Sequence, residues 1–155
     1  PNSVTSIVYA KMRAILKKER TVMEGTFKNI EEAQEFFTND RFAMETGAKI
    51  VALSNEECVC ELVLEERHKN AAGGVMGGAI FTLGDLAFAG LANQINMPTV
   101  AQSATINFLA VPKASPLQAR ASLIKNGRSS TVIEIDITDA DDRKIAKYIV
   151  TGFKL

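Results

Sequence analysis

The chain has 155 residues, of which 46% are hydrophobic and 23% are charged, a composition typical of one compact globular domain. Its 18 basic residues balance its 18 acidic residues, so net charge gives no reason to expect a nucleic acid or an anionic membrane surface as a partner. The longest apolar stretch is interrupted by Asp85 and by several glycines, which argues against a membrane span. The sequence shows no secretory signal pattern, and we expect a cytoplasmic protein.

The first predicted element is an amphipathic helix near the N-terminus. Apolar residues recur at helical spacing from Val4 to Leu16, with lysines and arginines between them. We expect this helix to pack on the domain or on another subunit rather than on a membrane. Residues 1–25 are therefore interpreted as a helical extension, and residues 26–155 as a single main domain.

Two short helices are predicted next. Asn29 followed by Glu32 resembles a capping box, which indicates a helix that ends by Phe37. Asn39 is predicted to cap a second helix over residues 40–46, because a glycine follows where that helix would end.

Alternating apolar and polar residues then predict about six antiparallel strands, the last four in a meander with short links. Cys58 and Cys60 fall two apart in the second strand. That spacing suits neither a redox pair nor a zinc site, so we interpret them as reduced core thiols. Asn126-Gly127 is a strong turn signal within the meander. The predicted strands span residues 48–54, 58–65, 103–110, 117–123, 133–137 and 145–153.

The middle of the chain predicts a buried helix. Between Asn70 and Pro112 the only charged residue is Asp85. Residues 78–95 are apolar or small on every helical face, and a helix of that kind is buried on all sides. In a chain of this length, the way to bury it is to wrap the antiparallel strands around it. The sequence therefore predicts an α+β fold with a central helix.

Asp85 lies in the middle of that helix, with no lysine or arginine nearby in sequence. An unpaired buried carboxylate is costly, so either a distant arginine or backbone donors satisfy it, or it is kept for function. Perturbed buried acids cluster at functional sites, which favours the second interpretation. Asp85 is therefore a candidate catalytic residue.

The glycine-rich run over residues 73–78 precedes the helix. Such a run leaves backbone N–H groups open to a ligand at the helix N-terminus, or it serves only as a tight turn. It matches neither the dinucleotide fingerprint nor the P-loop, and the chain has no GxSxG elbow. His68 is the only histidine, which excludes multi-histidine metal sites, and we expect no metal.

The spacing His68-x-Asn70-x-x-Gly73-x-x-Met76-Gly77-Gly78, followed by Leu83-x-Asp85, resembles a known family motif. PaaI-like (phenylacetate-pathway type) hot-dog thioesterases usually read HxNxxGxxHGGxxxxLxD. The resemblance runs from about residue 40 to the C-terminus and departs at one motif position, where Met76 replaces the usual histidine. It implies an antiparallel sheet wrapped around a central helix over about residues 77–96, and acyl-CoA thioesterase activity.

The resemblance also implies catalytic roles. Gly77 matches the glycine whose N–H polarises the thioester carbonyl, and Asp85 matches the carboxylate that activates water or attacks the thioester directly. Asn70 matches an amide that helps to place substrate or water, and Ser103 matches a position that orients the hydrolytic water. CoA is part of the substrate, and no separate cofactor is expected.

Further residues are implied to contact the substrate. The CoA phosphates would lie near basic loops, where lysines and arginines are candidates by loop position only and ordinary solvated charge is an equally good interpretation. A lone histidine is likewise more often structural than a ligand. The implied substrate-binding residues are His68, Met76, Gly78, Thr82, Lys113, Lys125 and Arg128.

Helix geometry bears on the number of chains in the site. Gly77 and Asp85 are eight residues apart, hence about 12 Å along a helix axis. One thioester held at Gly77 cannot meet Asp85 of the same chain, whereas two antiparallel helices related by a two-fold axis would bring them together. We therefore expect a homodimer, which in this family often pairs into a homotetramer.

Two alternatives to hydrolysis stay open. The Met76 departure is compatible with a hot-dog module that binds an acyl or CoA group without turning it over. Hydratase or dehydratase chemistry on an acyl thioester is a third hypothesis, but those sites normally pair a histidine with an acid, and the single histidine precedes the helix.

Overall fold

The computed structural model describes residues 25–155, so the predicted helical extension lies outside the described residues except for Gly25. Within this range the chain forms three α-helices and six β-strands. The helices are α1 Ile30–Phe37, α2 Arg41–Thr46 and α3 Gly77–Ile95. The strands are β1 Lys49–Leu53, β2 Glu57–Leu62, β3 Thr99–Phe108, β4 Leu117–Asn126, β5 Ser130–Thr138 and β6 Lys144–Lys154.

The strands form one antiparallel sheet in the order β1-β2-β4-β5-β6-β3. All six strands contact α3, with β2 and β4 contacting it most extensively. The predicted hot-dog architecture, six strands around a long central helix, is confirmed. The predicted meander of the last four strands is wrong for β3, which pairs with β6 and not with β4. Within residues 25–155, no helix has the length and apolar character needed to cross a membrane.

Strand β3 begins four residues before its predicted start at Ser103. The register with β6 shifts between Ala101 and Ser103, so Gln102 is the extra residue of a β-bulge. A bulge breaks the alternation of inward and outward side chains, which hid the first part of the strand from sequence reasoning. Because β3 is the last strand of the sheet, its outer edge is unpaired within the described residues.

The two short helices are confirmed, but one predicted cap is wrong. The Asn29 side chain accepts from the Glu32 N–H at 2.9 Å and caps α1 as expected. The N-cap of α2 is Asp40, whose side chain makes no capping hydrogen bond. Asn39 instead donates its amide to the Phe36 carbonyl at the end of α1. An asparagine between two adjacent helices can hydrogen-bond to the end of the first or cap the start of the second, and Asn39 bonds to the end of the first.

Helix α3 is less completely buried than its composition predicts. Its C-terminal half is enclosed, with Phe88 and Leu91 at most 2% exposed. Its N-terminal half leaves one stripe open, where Gly78 is exposed and Phe81 retains 37% exposure. Asp85 lies on the same stripe and is half-buried. Within a single chain, the sheet therefore buries the inward-facing residues of the first half of α3 and leaves this stripe open to solvent.

Gly84 allows α3 to approach the sheet closely. A Cβ at this position would lie 2.4 Å from Cδ1 and 2.9 Å from Cε1 of Tyr148, and both residues are fully buried. We expect Gly84→Ala to lower the free energy of unfolding by about 1–3 kcal/mol, the usual cost of overpacking a core. Denaturant titration measures this change.

Gly78 on the same helix provides the matched control. Apart from the mobile end of Met76 at 4.0 Å, a Cβ there would meet open space. Gly78→Ala should therefore raise the free energy of unfolding by about 0.5–1 kcal/mol through the loss of glycine's conformational entropy. If both variants shift stability in the same direction, the close packing of Gly84 on Tyr148 is wrong.

Candidate active site

Asn70 organises the loop that leads into α3. Its side-chain oxygen accepts from the N–H groups of Ala72 at 3.0 Å and Gly74 at 3.1 Å, and its own N–H donates to the Gly74 carbonyl at 2.7 Å. Gly73 has a φ of 80°, a conformation that favours glycine. The Asn70 side-chain oxygen thus holds the loop closed. The Asn70 NH₂ group makes no hydrogen bond within the described residues and can donate to a ligand.

His68 is buried behind this loop. Its Nδ1 accepts from the Glu65 N–H at 2.9 Å, and its Nε2 donates to the Thr46 carbonyl at 2.7 Å, which places the proton on Nε2. Its backbone carbonyl accepts from the Met76 N–H. Since both ring nitrogens are used inside the protein, the geometry favours a structural role for His68 over the implied contact with substrate.

The start of α3 presents donors to solvent. Met76 is the N-cap and is 56% exposed, and Gly77 and Gly78 are the first two helical residues. The first N–H groups of a helix have no intrahelical acceptor, and the helix dipole favours negative charge there. The Phe108 ring lies directly on Gly77, because a Cβ at that glycine would be 3.0 Å from the ring. This arrangement suits a carbonyl oxygen that gains negative charge against an apolar wall.

Asp85 lies two turns further along the same helix. Within residues 25–155, the ion pairs involve other carboxylates, so no distant arginine satisfies it. Burial raises the pKa of Asp85 above its ordinary value, and the negative charge of Asp40 raises it further. A carboxylate with a raised pKa is a stronger base than a solvated one, which suits a general base.

Thr82 and Ser103, two further predicted site residues, have different surroundings. Thr82 lies on α3 between Gly78 and Asp85, and its hydroxyl donates to the Gly78 carbonyl at 2.8 Å. That bond positions the first turn of the helix. Ser103 is exposed at the bulge of edge strand β3, where it pairs with Thr151. Its hydroxyl is available to a group that approaches the sheet edge.

The three basic candidates are separated by the fold. Lys113 follows β3 in the loop at the Gly77 end, and its N–H donates to Asp139 at 3.1 Å. Lys125 and Arg128 flank the β4–β5 turn at the other end of the sheet. The Lys154 ammonium donates to the Gly127 carbonyl in that turn. The next residue, Leu155, donates its N–H to the Pro98 carbonyl, so the turn lies near the C-terminal end of α3. Only Lys113 lies on the same side of its own chain as the helix start.

Sequence reasoning missed Asp139, which fixes the Lys113 loop. Burial acts to raise its pKa, but hydrogen bonds from the backbone N–H groups of Lys113, Arg143, Asp141 and Ala114 outweigh burial and hold the pKa below its ordinary value. Residues 139–142 lie in one of the short links that the sequence predicts between strands of the meander. The alternation of apolar and polar residues does not distinguish a carboxylate that accepts several backbone hydrogen bonds from one that is solvated.

Asp40 and Tyr148 were also missed, and both lie near Asp85. The charge of Asp40 acts on the Asp85 carboxylate, and the Asp85 charge in turn raises the pKa of the buried Tyr148 phenol. They come from α2 and β6, 45 and 63 residues away from Asp85 in the chain. Only the tertiary fold brings them together. The described residues contain no cluster of His, Cys, Asp and Glu side chains suited to a metal ion.

Comparison with known proteins agrees with this geometry. The family model of the thioesterase superfamily matches residues 72–146, which include α3 and β3 to β5. A protein of Saccharolobus solfataricus provisionally named an esterase is 30% identical over 135 residues, which cover 86% of this chain and 95% of that protein. The acyl-coenzyme A thioesterase PaaI of Escherichia coli is 27% identical over 119 residues, 76% of this chain and 85% of the relative.

A solved structure gives the same result. The structure of the Escherichia coli PaaI protein, from the phenylacetic acid degradation operon, superposes with a TM-score of 0.75 at 26% identity. The superposition covers 79% of this chain and 90% of that one. The chain therefore belongs to the thioesterase superfamily, as a PaaI-like hot-dog protein.

Proposed function

We propose that this protein hydrolyses an acyl-CoA thioester to a free acid and CoA. The observation that carries the proposal is the combination on one helix of open N–H groups at Gly77 and Gly78 with the half-buried carboxylate of Asp85, which has no ion-pair partner within residues 25–155. The first feature stabilises a developing oxyanion and the second supplies a base or nucleophile. The Escherichia coli relative is named an acyl-coenzyme A thioesterase, which supports the same reaction here.

The chemistry assigns a role to each group. The Gly77 N–H polarises the thioester carbonyl, and Asn70 places substrate or water through its free NH₂ group. Asp85 takes a proton from the attacking water, or attacks the carbonyl carbon itself to give an anhydride that water then hydrolyses. Collapse of the oxyanion breaks the C–S bond, and the thiolate of CoA leaves and takes up a proton. Ser103 is the proposed hydroxyl that orients the water.

Two chains are needed for this reaction. Gly77 and Asp85 are about 12 Å apart along α3, too far for one thioester carbonyl to meet both. The open stripe of α3 and the unpaired edge of β3 adjoin each other, since Phe108 of β3 lies on Gly77. We propose that a second copy pairs with this edge, so that Asn70 and Gly77 of one chain face Asp85 and Ser103 of its partner. Association into a tetramer stays a prediction.

The proposal extends to the substrate contacts and to the location of the protein. Met76 is exposed beside the carbonyl site and offers apolar surface to the pantetheine arm or the acyl group. Of the three basic candidates, Lys113 is the best placed to bind a CoA phosphate when the thioester lies at Gly77 of the same chain. The cytoplasmic location stays a prediction, which the two free, buried thiols of Cys58 and Cys60 support.

Release of free thiol from a panel of acyl-CoAs, aromatic and aliphatic, short and long, tests the proposal. We expect many turnovers per active site on at least one substrate, and free acid as the second product. The alternative is a module that binds acyl-CoA without reaction. Saturable binding of acyl-CoA with no thiol release above background would establish that alternative and overturn the proposed hydrolysis.

Met76→His tests how much the missing histidine matters. Met cannot donate a hydrogen bond and its thioether is a weak acceptor, so the natural protein relies mainly on the Gly77 N–H. One added neutral hydrogen bond is worth about 1 kcal/mol, so we expect kcat to change by roughly tenfold or less. Met76→Leu, which is apolar and of similar size, serves as the control. A gain of several orders of magnitude in Met76→His would show that the natural protein is in effect a binder.

A further inference from the structure

The Tyr148 hydroxyl is an anomaly in an otherwise satisfied core. Tyr148 is fully buried on β6, where it pairs with Ile106 and Ile135, yet its hydroxyl has no hydrogen-bond partner within the described residues. Buried polar groups nearly always have a partner, because burial without one costs the full desolvation of the group. A phenylalanine would fill the same space without that cost. The hydroxyl therefore calls for a functional explanation.

The surroundings of the ring place it at the candidate active site. The ring lies against the backbone of Gly84, the residue just before Asp85, with no room for a Cβ between them. It also packs on Phe81, with ring centroids 4.8 Å apart, and Phe81 belongs to the open stripe of α3. Tyr148 thus lies immediately behind the part of α3 that presents Asp85.

A hydrogen-bond donor and a hydrogen-bond acceptor, each without a partner within residues 25–155, lie in this region. The phenol is a donor without an acceptor, and the Asp85 carboxylate is an acceptor without a donor within residues 25–155. They are close enough for the Asp85 charge to raise the pKa of the phenol further, beyond the rise that burial causes. Because its pKa lies above the ordinary value of a phenol, Tyr148 keeps its proton at neutral pH and is available there as a donor.

We propose that Tyr148 is a positioning residue that donates its hydroxyl hydrogen bond to the Asp85 carboxylate through one ordered water in the working enzyme. The bond orients the carboxylate towards the thioester and favours its ionised form. It thereby opposes the burial and the Asp40 charge, which both favour the protonated form. This inference rests on the proposed hydrolysis only for its catalytic consequence, because the interaction itself belongs to the folded protein.

Tyr148→Phe removes one oxygen and keeps the ring on Gly84. We expect kcat for the best acyl-CoA to fall about tenfold with KM little changed, and the acidic limb of the kcat profile to move to higher pH, because the carboxylate loses a donor. Thermal stability should change little, because phenylalanine avoids the desolvation cost of the buried hydroxyl while the Asp85 carboxylate loses a donor. Asp40→Asn is the control of opposite sign, since removing a like charge should move the acidic limb to lower pH.

Carbon-13 NMR titration of labelled aspartate carboxyls, with Asp85→Asn for assignment, reads the same interaction without any substrate. The pKa of Asp85 should be higher in Tyr148→Phe than in the natural protein. An unchanged Asp85 titration would overturn the inference, as would an unchanged acidic limb in an active enzyme. A rise in KM confined to acyl groups with a polar tip would also overturn it, since the hydroxyl would then contact substrate. A natural protein inactive on every acyl-CoA would count against the proposed function instead, and the NMR result would still stand.

Discussion

Asp85→Asn is expected to lower kcat for acyl-CoA hydrolysis by about two to four orders of magnitude, the usual scale for the loss of a positioned base. Asparagine has nearly the shape of aspartate but is neither basic nor nucleophilic. The fold should persist, because the substitution removes a charge that the half-buried site disfavours. The folded-state pKa of Asp85 is raised, so its ionisation costs stability as pH rises through that pKa. At neutral pH the variant should therefore be at least as stable as the natural protein.

Asp136→Asn is the matched control for this substitution. Asp136 lies on β5 and binds the Lys147 ammonium at 3.0 Å on the outer side of the sheet, away from α3. The loss of such an exposed pair changes stability little, and it should leave kcat unchanged. Thiol release under substrate saturation measures both variants. Activity of Asp85→Asn within a few-fold of the natural protein would remove Asp85 from the mechanism.

Mixing two inactive variants is expected to restore activity. Gly77→Pro removes the proposed oxyanion donor at the first helical position, and Met76 already has the extended backbone that a following proline requires. The Phe108 ring must shift by a few tenths of an ångström to make room for the proline Cβ. A heterodimer of Gly77→Pro and Asp85→Asn chains holds one site with both groups intact. Random exchange makes about half of the dimers mixed, so the mixture should recover about a quarter of natural activity.

The double variant with both substitutions in one chain is the control. Mixed with the natural chain, it should inactivate every heterodimer, because each of the two sites then carries one damaged group. Co-expression with two different affinity tags isolates the heterodimers in both experiments. Failure to restore activity in isolated Gly77→Pro and Asp85→Asn heterodimers would show that Gly77 and Asp85 do not act across two chains.

The fold was largely predictable because its elements have strong local patterns. The alternation around Cys58 and Cys60 and the run of apolar and small residues that follows residue 77 each specify one element type. The errors fall where two local signals compete. The bulge at Gln102 hid the start of β3, and Asn39 had two helix ends within reach. The open stripe at Phe81 could not be predicted from composition, which does not separate burial by the sheet from burial by a partner.

The site was predictable in part, and the division has a physical reason. Asp85 and Gly77 could be predicted because each stands out within one segment of the sequence. Asp85 is the only charge in an apolar helix, and Gly77 belongs to the glycine run that precedes it. Asp40 and Tyr148 act on Asp85 from distant segments, and neither stands out within its own. The hydrogen bonds that engage both nitrogens of His68 likewise depend on Thr46, 22 residues away.

A crystal structure with a non-hydrolysable acyl-CoA analogue tests the central claim most directly. It should show the carbonyl oxygen of the analogue within about 3 Å of the Gly77 nitrogen of one chain, and the carbonyl carbon facing Asp85 of the other. The two chains should be joined along the edges of their β3 strands. An analogue bound with its carbonyl away from Gly77, or with both Gly77 and Asp85 contributed by one chain, would contradict the account.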